Sequence, residues 1–70
     1  MQASPIRVTL NGASRELPAR ISVAELVVLL EVRGRYAVEV NGEIVPRSAH
    51  AGRRLDTGDC IEVVAAIGGG

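Results

Sequence analysis

Asn-Gly occurs twice in this chain, at positions 11–12 and 41–42, and each pair lies between two short runs rich in apolar residues. Both residues of an Asn-Gly pair tolerate a positive φ, which the type I′ turn of a tight β-hairpin requires. Before the first pair, Ile6, Val8 and Leu10 alternate with polar residues, as in a strand with one buried face. The chain is therefore predicted to contain two hairpins.

The remaining strands follow from the positions of these turns and of two prolines. Pro18 ends the strand that returns from the first turn, and the weak alternation of that strand places it at a sheet edge. Pro46 cuts the fourth strand short. The strands after the first are predicted at residues 13–17, 36–40, 44–45 and 60 to about 66.

A helix is predicted between the hairpins because Ser22 and Glu25 have the spacing of a capping box. Apolar residues at i, i+3, i+4 and i+7 then form one stripe that a sheet can cover. That stripe consists of Val23, Leu26, Val27 and Leu30. Gly34 is the predicted end of the helix, with Arg33 near the negative end of the helix dipole.

Val28 and Val32 lie four residues apart and off the main stripe of the helix. They are either the edge of the core or an exposed contact, and the edge of the core is favoured. The order hairpin, helix, hairpin, strand predicts a mixed five-stranded sheet packed on one helix, with the last strand parallel to the first in the middle. This α+β arrangement is the β-grasp, or ubiquitin-like, fold. It would occupy residues 1–66, with a flexible glycine tail at 67–70.

Composition limits the classes of function that this chain can serve. Seventy residues form one domain, 47% of them apolar, and eight basic residues balance eight acidic ones. No basic field is available to bind nucleic acid or an anionic membrane. No apolar run approaches the roughly 20 residues that span a bilayer, and a signal-peptide core is absent. A cytoplasmic protein, monomeric when free, is expected.

The candidate chemical groups are few. His50 and Cys60 are the single histidine and cysteine, and they lie on separate predicted elements, so a nucleophile and base pair is not favoured. No clustered ligand set has metal-binding spacing. Arg53 and Arg54, with Arg47 nearby, form either a small basic patch for an acidic partner or a solvated face, and the solvated face is favoured.

The last strand runs into three glycines, Gly68 to Gly70, which places a carboxylate at the end of a narrow, flexible tail. The predicted outward positions of this strand are Cys60, Glu62, Val64 and Ala66. Val64 and Ala66, just ahead of Ile67, suggest a modest apolar contact surface that leads into the tail. Because this surface lacks large aromatic residues and arginine, transient binding is expected there.

Three segments follow one another in the second half of the chain: VNGEIVPR at 40–47, LDTGD at 55–59 and IEVVAAIGGG at 61–70. Their sequences and order resemble the ThiS family of sulfur carriers in thiamin biosynthesis. The first half is also similar, with a short strand, Asn-Gly, Leu-Pro at 17–18, and a capped helix containing VAEL. The related MoaD family typically runs longer and has Phe and Pro-Pro before its glycines, where this chain has VAAI at 64–67.

The resemblance implies a function for the tail. A ThiF-type adenylyltransferase would use ATP to adenylate the carboxylate of Gly70, and a persulfide donor would convert it into a thiocarboxylate. Gly68 and Gly69 would lengthen the tail so that Gly70 reaches the active site of a partner. Thiazole synthase, ThiG, would accept the sulfur. The chain would be a co-substrate that binds no cofactor or metal, and not an enzyme. Other possibilities are a molybdopterin carrier, a protein modifier conjugated to lysines, or an interaction module with an inert tail.

Overall fold

A computed structural model describes residues 3–65 of the chain. One α-helix, α1, spans Val23–Leu29, and a short 3-10 helix spans Arg47–Ala49. The strands are β1 (Ile6–Leu10), β2 (Ala13–Leu17), β3 (Tyr36–Val40), β4 (Glu43–Ile44) and β5 (Cys60–Ala65).

The five strands form one mixed sheet in the order β2-β1-β5-β3-β4. β5 pairs in parallel with β1 and antiparallel with β3, while both hairpins are antiparallel. The predicted β-grasp arrangement is confirmed, with the last strand in the middle and β2 at an edge. The predicted division between a domain at 1–66 and a tail at 67–70 falls outside the described residues and stays a prediction.

Both Asn-Gly turns have the backbone geometry that the sequence predicts. Asn11 has a φ of 50° and Gly12 a φ of 84°, and Asn41 and Gly42 have values of 53° and 85°. Positive φ at both central positions is the signature of the type I′ turn, whose twist matches that of the flanking strands. These two turns fix the register of both hairpins.

The asparagine side chains of the two turns also hold β5, which the turn pattern did not predict. The Val63 N–H donates to Asn11 Oδ1 at 2.9 Å, and the Cys60 N–H donates to Asn41 Oδ1 at 2.9 Å. Asn41 Nδ2 in turn donates to Asp59 at 3.0 Å. A side-chain acceptor therefore satisfies a β5 backbone donor near each end of the strand.

The predicted capping box at the start of α1 is present in full. Ser22 Oγ accepts from the Glu25 N–H at 3.1 Å, and Glu25 Oε1 accepts from the Ser22 N–H at 2.9 Å. Two of the backbone donors at the helix start are thereby satisfied reciprocally. Arg54 adds an ion pair to Glu25 at 3.4 Å.

Protonation of Glu25 is expected to weaken the fold. The backbone hydrogen bond from Ser22, then its hydroxyl and the charge of Arg54, hold the pKa of Glu25 below the ordinary value of 4.5. A carboxyl group whose pKa is lower in the folded state stabilises the fold above its unfolded pKa, and that contribution is lost as pH falls through the folded value. Urea unfolding should therefore show the stability advantage of the wild type over Glu25→Gln shrinking below about pH 4.5. An advantage independent of pH would contradict this assignment.

The helix ends earlier than predicted, and Gly34 is not its stop. α1 ends at Leu29, and Glu31 takes the left-handed conformation with a φ of 56°. The Val32 N–H donates to the Val27 carbonyl at 3.2 Å, and the Glu31 N–H donates to the Val28 carbonyl at 3.1 Å. These two bonds form a Schellman motif with glutamate where glycine is usual.

The early end has a physical reason in the core. Val27 is buried, and Val32 packs against the same cluster, so the Schellman turn brings two apolar side chains to the core. Arg33 consequently lies beyond the helix, and the last turn of α1 contains no basic residue. The predicted interaction of Arg33 with the helix dipole is wrong.

The core lies between the helix and one face of the sheet and is wholly aliphatic. Its buried side chains come from β1, β2, α1, β3 and β5, together with Ile21 and Leu55 from the connections. The predicted stripe is confirmed, with Val23, Leu26 and Val27 buried and Leu30 partly buried against the cluster. Val32 lies at the edge of the core, as favoured, but Val28 is 76% exposed, so the expectation for Val28 is wrong.

Candidate functional site

The outer face of the sheet, opposite α1, presents part of the predicted contact surface. Cys60, Glu62 and Val64 of β5 are all exposed, as the alternation predicts, while Ile61 between them is fully buried. Val64 is 58% exposed. The other predicted contact residues, Ala66 and Ile67, lie outside the described residues.

Two further apolar residues lie on the same outer face as Val64. Ala37 is directly opposite Val64 in the β3–β5 register, and Ile44, which is 68% exposed, is opposite Glu39. Ile44 and Ala37 are therefore diagonal neighbours across β3 and β4. Ala37, Ile44 and Val64 together form an apolar patch. Alternation along β5 alone did not predict Ile44 and Ala37 as part of this surface, although the hairpin register set by the second Asn-Gly turn places them on one face.

Glu39 and Glu62 face each other across β3 and β5 beside the apolar patch. Like charges in directly opposite positions destabilise a sheet. No basic side chain within residues 3–65 forms an ion pair with either carboxylate. The outer face therefore combines a small apolar patch with concentrated negative charge.

The structure defines the point from which the glycine tail begins. Ala65, the last residue of β5, is opposite Tyr36, the first residue of β3. β5 extends past the end of β1 at Leu10, and the Asn11 side chain holds Val63 there. The tail residues Gly68, Gly69 and Gly70 lie outside the described part of the chain, so their predicted roles stay predictions.

His50 and Cys60 are not brought together. His50 is 6% exposed, its Nε2 lies 2.9 Å from the Val45 carbonyl oxygen, and its ring lies 6.0 Å from that of Tyr36. Tyr36 is opposite the end of β5, whereas Cys60 is at its beginning and on the outer face. A carbonyl accepts the hydrogen bond, so Nε2 carries the proton and is not available as a base toward Cys60.

The three arginines suggested as a basic patch have separate partners. Arg54 Nη1 donates to the Arg20 carbonyl at 3.0 Å and pairs with Glu25, and Arg53 donates to the Arg54 carbonyl. The guanidinium of Arg47 lies 4.1 Å from the centre of the Tyr36 ring. Arg53 and Arg54 thus support the start of α1, while Arg47 lies beside the root of the tail.

A groove of about 530 Å³ lies at the other end of the sheet. Pro18, which follows the end of β2, lines this groove. At that end of the sheet, Leu17 of β2 pairs with Ile6, the first residue of β1. The groove is also lined by Arg20, Ile21, Val28, Leu29 and Arg54. No sequence pattern predicted it, and it lies at the end of the sheet opposite Ala65.

Residues 3–65 contain no group of three or more His, Cys, Asp or Glu side chains placed to hold a metal ion. In the same part of the chain, no helix is both long and apolar enough to cross a membrane.

The mixed sheet, the single packed helix and the central last strand define a β-grasp, ubiquitin-like protein. Comparison of the sequence with known families gives a match to the ThiS family over residues 8–70. The chain belongs to the ThiS family.

Two known proteins show the extent of the similarity. A crystal structure of the thiamine biosynthesis protein ThiS from Geobacter metallireducens superposes with a TM-score of 0.79 at 30% identity, covering 93% of this chain and all of that one. A thiazole synthase from Paramagnetospirillum magneticum is 42% identical over 66 residues, which are 93% of this chain. This chain spans only 20% of the length of that thiazole synthase.

Proposed function

We propose that this chain is a sulfur carrier of thiamin biosynthesis, which becomes a thiocarboxylate at Gly70. The observation that carries the proposal is the ThiS-family match, because it extends over residues 8–70 and so includes the three glycines. The similarity to the Geobacter ThiS structure over the whole of that chain supports the same conclusion.

The chemistry needs a free carboxylate on Gly70 and an activating enzyme. A carboxylate oxygen attacks the α-phosphorus of ATP at a ThiF-type adenylyltransferase, and pyrophosphate leaves. The terminal sulfur of a persulfide then attacks the acyl carbon, and AMP leaves. A thiol cleaves the resulting sulfur–sulfur bond and releases the thiocarboxylate. The carrier contributes no catalytic group and would bind ATP only through its activating enzyme.

The fold supports this role because it offers a rigid base for a slender tail. β5 lies between β1 and β3, and Asn11 holds it where β1 has ended. Gly68 and Gly69 have no Cβ and can pass through a channel too narrow for other residues. A defined starting point limits the volume that the tail must search, so the terminal group enters a partner's active site at a smaller entropic cost.

Thiazole synthase is the sulfur acceptor that we propose. The Paramagnetospirillum protein bears that name, and one-fifth of its length matches this chain. A domain similar to this chain therefore occurs within a longer protein called a thiazole synthase. Joining two modules in one chain raises their effective concentration, which is useful for domains that act together. This observation favours the thiazole pathway over molybdopterin synthesis.

The apolar patch, with Ala66 and Ile67, is the surface that we propose for contact with the adenylyltransferase. Val64→Gln should raise the KM for the carrier in adenylation by about fivefold to tenfold, because the patch loses the apolar area that β5 contributes. Val28→Gln is a matched control, since Val28 is exposed but lies on α1. Equal increases in this KM for the two variants would show that the outer face is not the contact surface for the adenylyltransferase.

Reconstitution with purified partners tests the proposed pathway. The carrier is supplied with ATP, a ThiF-type enzyme and a persulfide donor, and then with either thiazole synthase and its substrates or the molybdopterin synthase large subunit and its precursor. We expect thiazole formation that depends on the carrier. Sulfur delivery only to the molybdopterin precursor would establish the alternative pathway. Attachment of Gly70 to lysines of other proteins would identify a protein modifier.

A further inference from the structure

Arg47 is held in a fixed position by an aromatic ring. Its guanidinium carbon lies 4.1 Å from the centre of the Tyr36 ring, a distance typical of a cation–π contact. Tyr36 is itself half-buried and packs against the core, so the surface on which the guanidinium lies is rigid. The position of the guanidinium over the ring is therefore set before any partner arrives.

The backbone of Arg47 is also fixed. Its carbonyl accepts from the His50 N–H at 3.1 Å within the 3-10 helix. The buried His50 ring bonds the Val45 carbonyl, and the His50 carbonyl accepts from the Ala24 N–H at 3.0 Å. The segment that carries Arg47 is thus tied to Val45, which follows β4, and to α1. Little conformational entropy remains for this side chain to lose on binding.

The hydrogen-bond donors of Arg47 are not used within the described residues. Arg7 pairs with Glu16, and Arg54 pairs with Glu25. Arg47 has neither an ion pair nor a side-chain hydrogen bond to any acceptor in residues 3–65. Stacking on a ring leaves the edge of the guanidinium open, and that edge is the part that binds a carboxylate in bidentate fashion.

Arg47 lies at the root of the tail. Tyr36, on which it stacks, is opposite Ala65, the last described residue before the tail. Arg35, immediately before Tyr36, is also exposed and without an ion pair among the described residues. The tail therefore begins beside positive charge, while Glu39 and Glu62 make the outer face of the same sheet negative.

We propose that Arg47 binds a carboxylate of thiazole synthase, beside the opening of that enzyme that receives the tail. The inference rests on the proposed function for the identity of the partner. A tail alone can enter a channel in any rotation about its own axis. A basic anchor at the tail root and an acidic outer face would fix that rotation, because a partner must match both charges. Arg47 is accordingly a residue that sets orientation and specificity.

Calorimetric titration of cognate thiazole synthase with the carrier tests this inference. We expect Arg47→Ala to raise the Kd by about tenfold and to flatten the dependence of Kd on salt concentration. Arg47→Lys should recover only part of the loss, since an ammonium group lacks the planar fork. Arg15→Ala is a matched control, because Arg15 is an exposed arginine on the edge strand β2, and its Kd should stay within about twofold of wild type.

Substitutions of Tyr36 test whether the orientation of the Arg47 guanidinium matters for binding apart from its charge. Tyr36→Phe keeps the ring and should bind like wild type, whereas Tyr36→Leu frees the guanidinium and should raise the Kd by about threefold to tenfold. A wild-type Kd for Arg47→Ala, or an equal loss for Arg15→Ala, would overturn the inference and leave the proposed function intact. Absence of binding by the wild-type carrier would instead refute thiazole synthase as the partner.

Discussion

Removal of Gly69 and Gly70 is expected to reduce carrier-dependent thiazole formation to the level measured without carrier. The shortened tail would end at Gly68, two residues short of the position that the activating enzyme must reach. The melting temperature should change by less than about 2 °C, because the described core lies wholly within residues 3–65. Thiazole synthesis and thermal unfolding, measured on the same preparation, check both parts.

A two-residue deletion near the other end of the chain controls for the shortening itself. Ala3 and Ser4 are exposed and lie outside the strands, so deletion of this pair should change neither activity nor melting temperature. Full activity of the chain that lacks Gly69 and Gly70 would rule out Gly70 as the residue that must carry the sulfur. It would favour an interaction module whose tail is inert.

Leu26→Ala is expected to destabilise the fold by about 2–5 kcal/mol, the range for removing a buried leucine side chain from a packed core. Leu26 is fully buried and lies on the face of α1 that covers the sheet. A domain of this size has a total stability of roughly 4–10 kcal/mol, so a large share of the variant population should be unfolded near the upper end of the effect. Urea unfolding followed by circular dichroism measures the difference.

Val28→Ala is the control for that substitution, because it truncates an aliphatic side chain on the same helix at a position 76% exposed. We expect a change within about 0.5 kcal/mol, since little apolar area is uncovered and alanine favours the helix. A loss comparable to that of Leu26→Ala would mean that Val28 is buried. The placement of the core would then be wrong.

Local patterns were sufficient to predict most of the fold. Alternation and the two Asn-Gly turns gave the bounds of β1, β2 and β3 as the structure has them, and Pro18 limited β2. β4, predicted at residues 44–45, lies one residue earlier, at Glu43–Ile44. Ser22 and Glu25 gave the start of α1 because a capping box depends on residues only three apart. The crossover rule then gave the parallel placement of β5.

The helix end could not be predicted in the same way. A glycine at 34 is the usual signal, but burial of Val32 closes the helix earlier and forces Glu31 into a conformation that few non-glycine residues adopt. The end of the helix was mispredicted because core packing outweighed a local preference. Val28 is exposed because it lies off the buried stripe of α1.

The site was predicted less completely because its contacts join residues distant in sequence. Alternation gave the exposure of Val64, but the apolar patch also needs the register of β3 with β4. The hydrogen bond from Val63 to Asn11 and the contact of Arg47 with the Tyr36 ring each link separate elements. Neither contact produces a periodic pattern in the sequence. They become visible only when the strands are placed side by side.

Intact-mass spectrometry of the carrier, after incubation with ATP, a ThiF-type enzyme and a persulfide donor, shows whether the carboxylate of Gly70 becomes a thiocarboxylate. We expect a mass gain equal to the replacement of one oxygen by sulfur, and fragmentation should map that gain to Gly70. An unchanged mass, with the same enzyme preparation shown to convert a known carrier, would contradict the account.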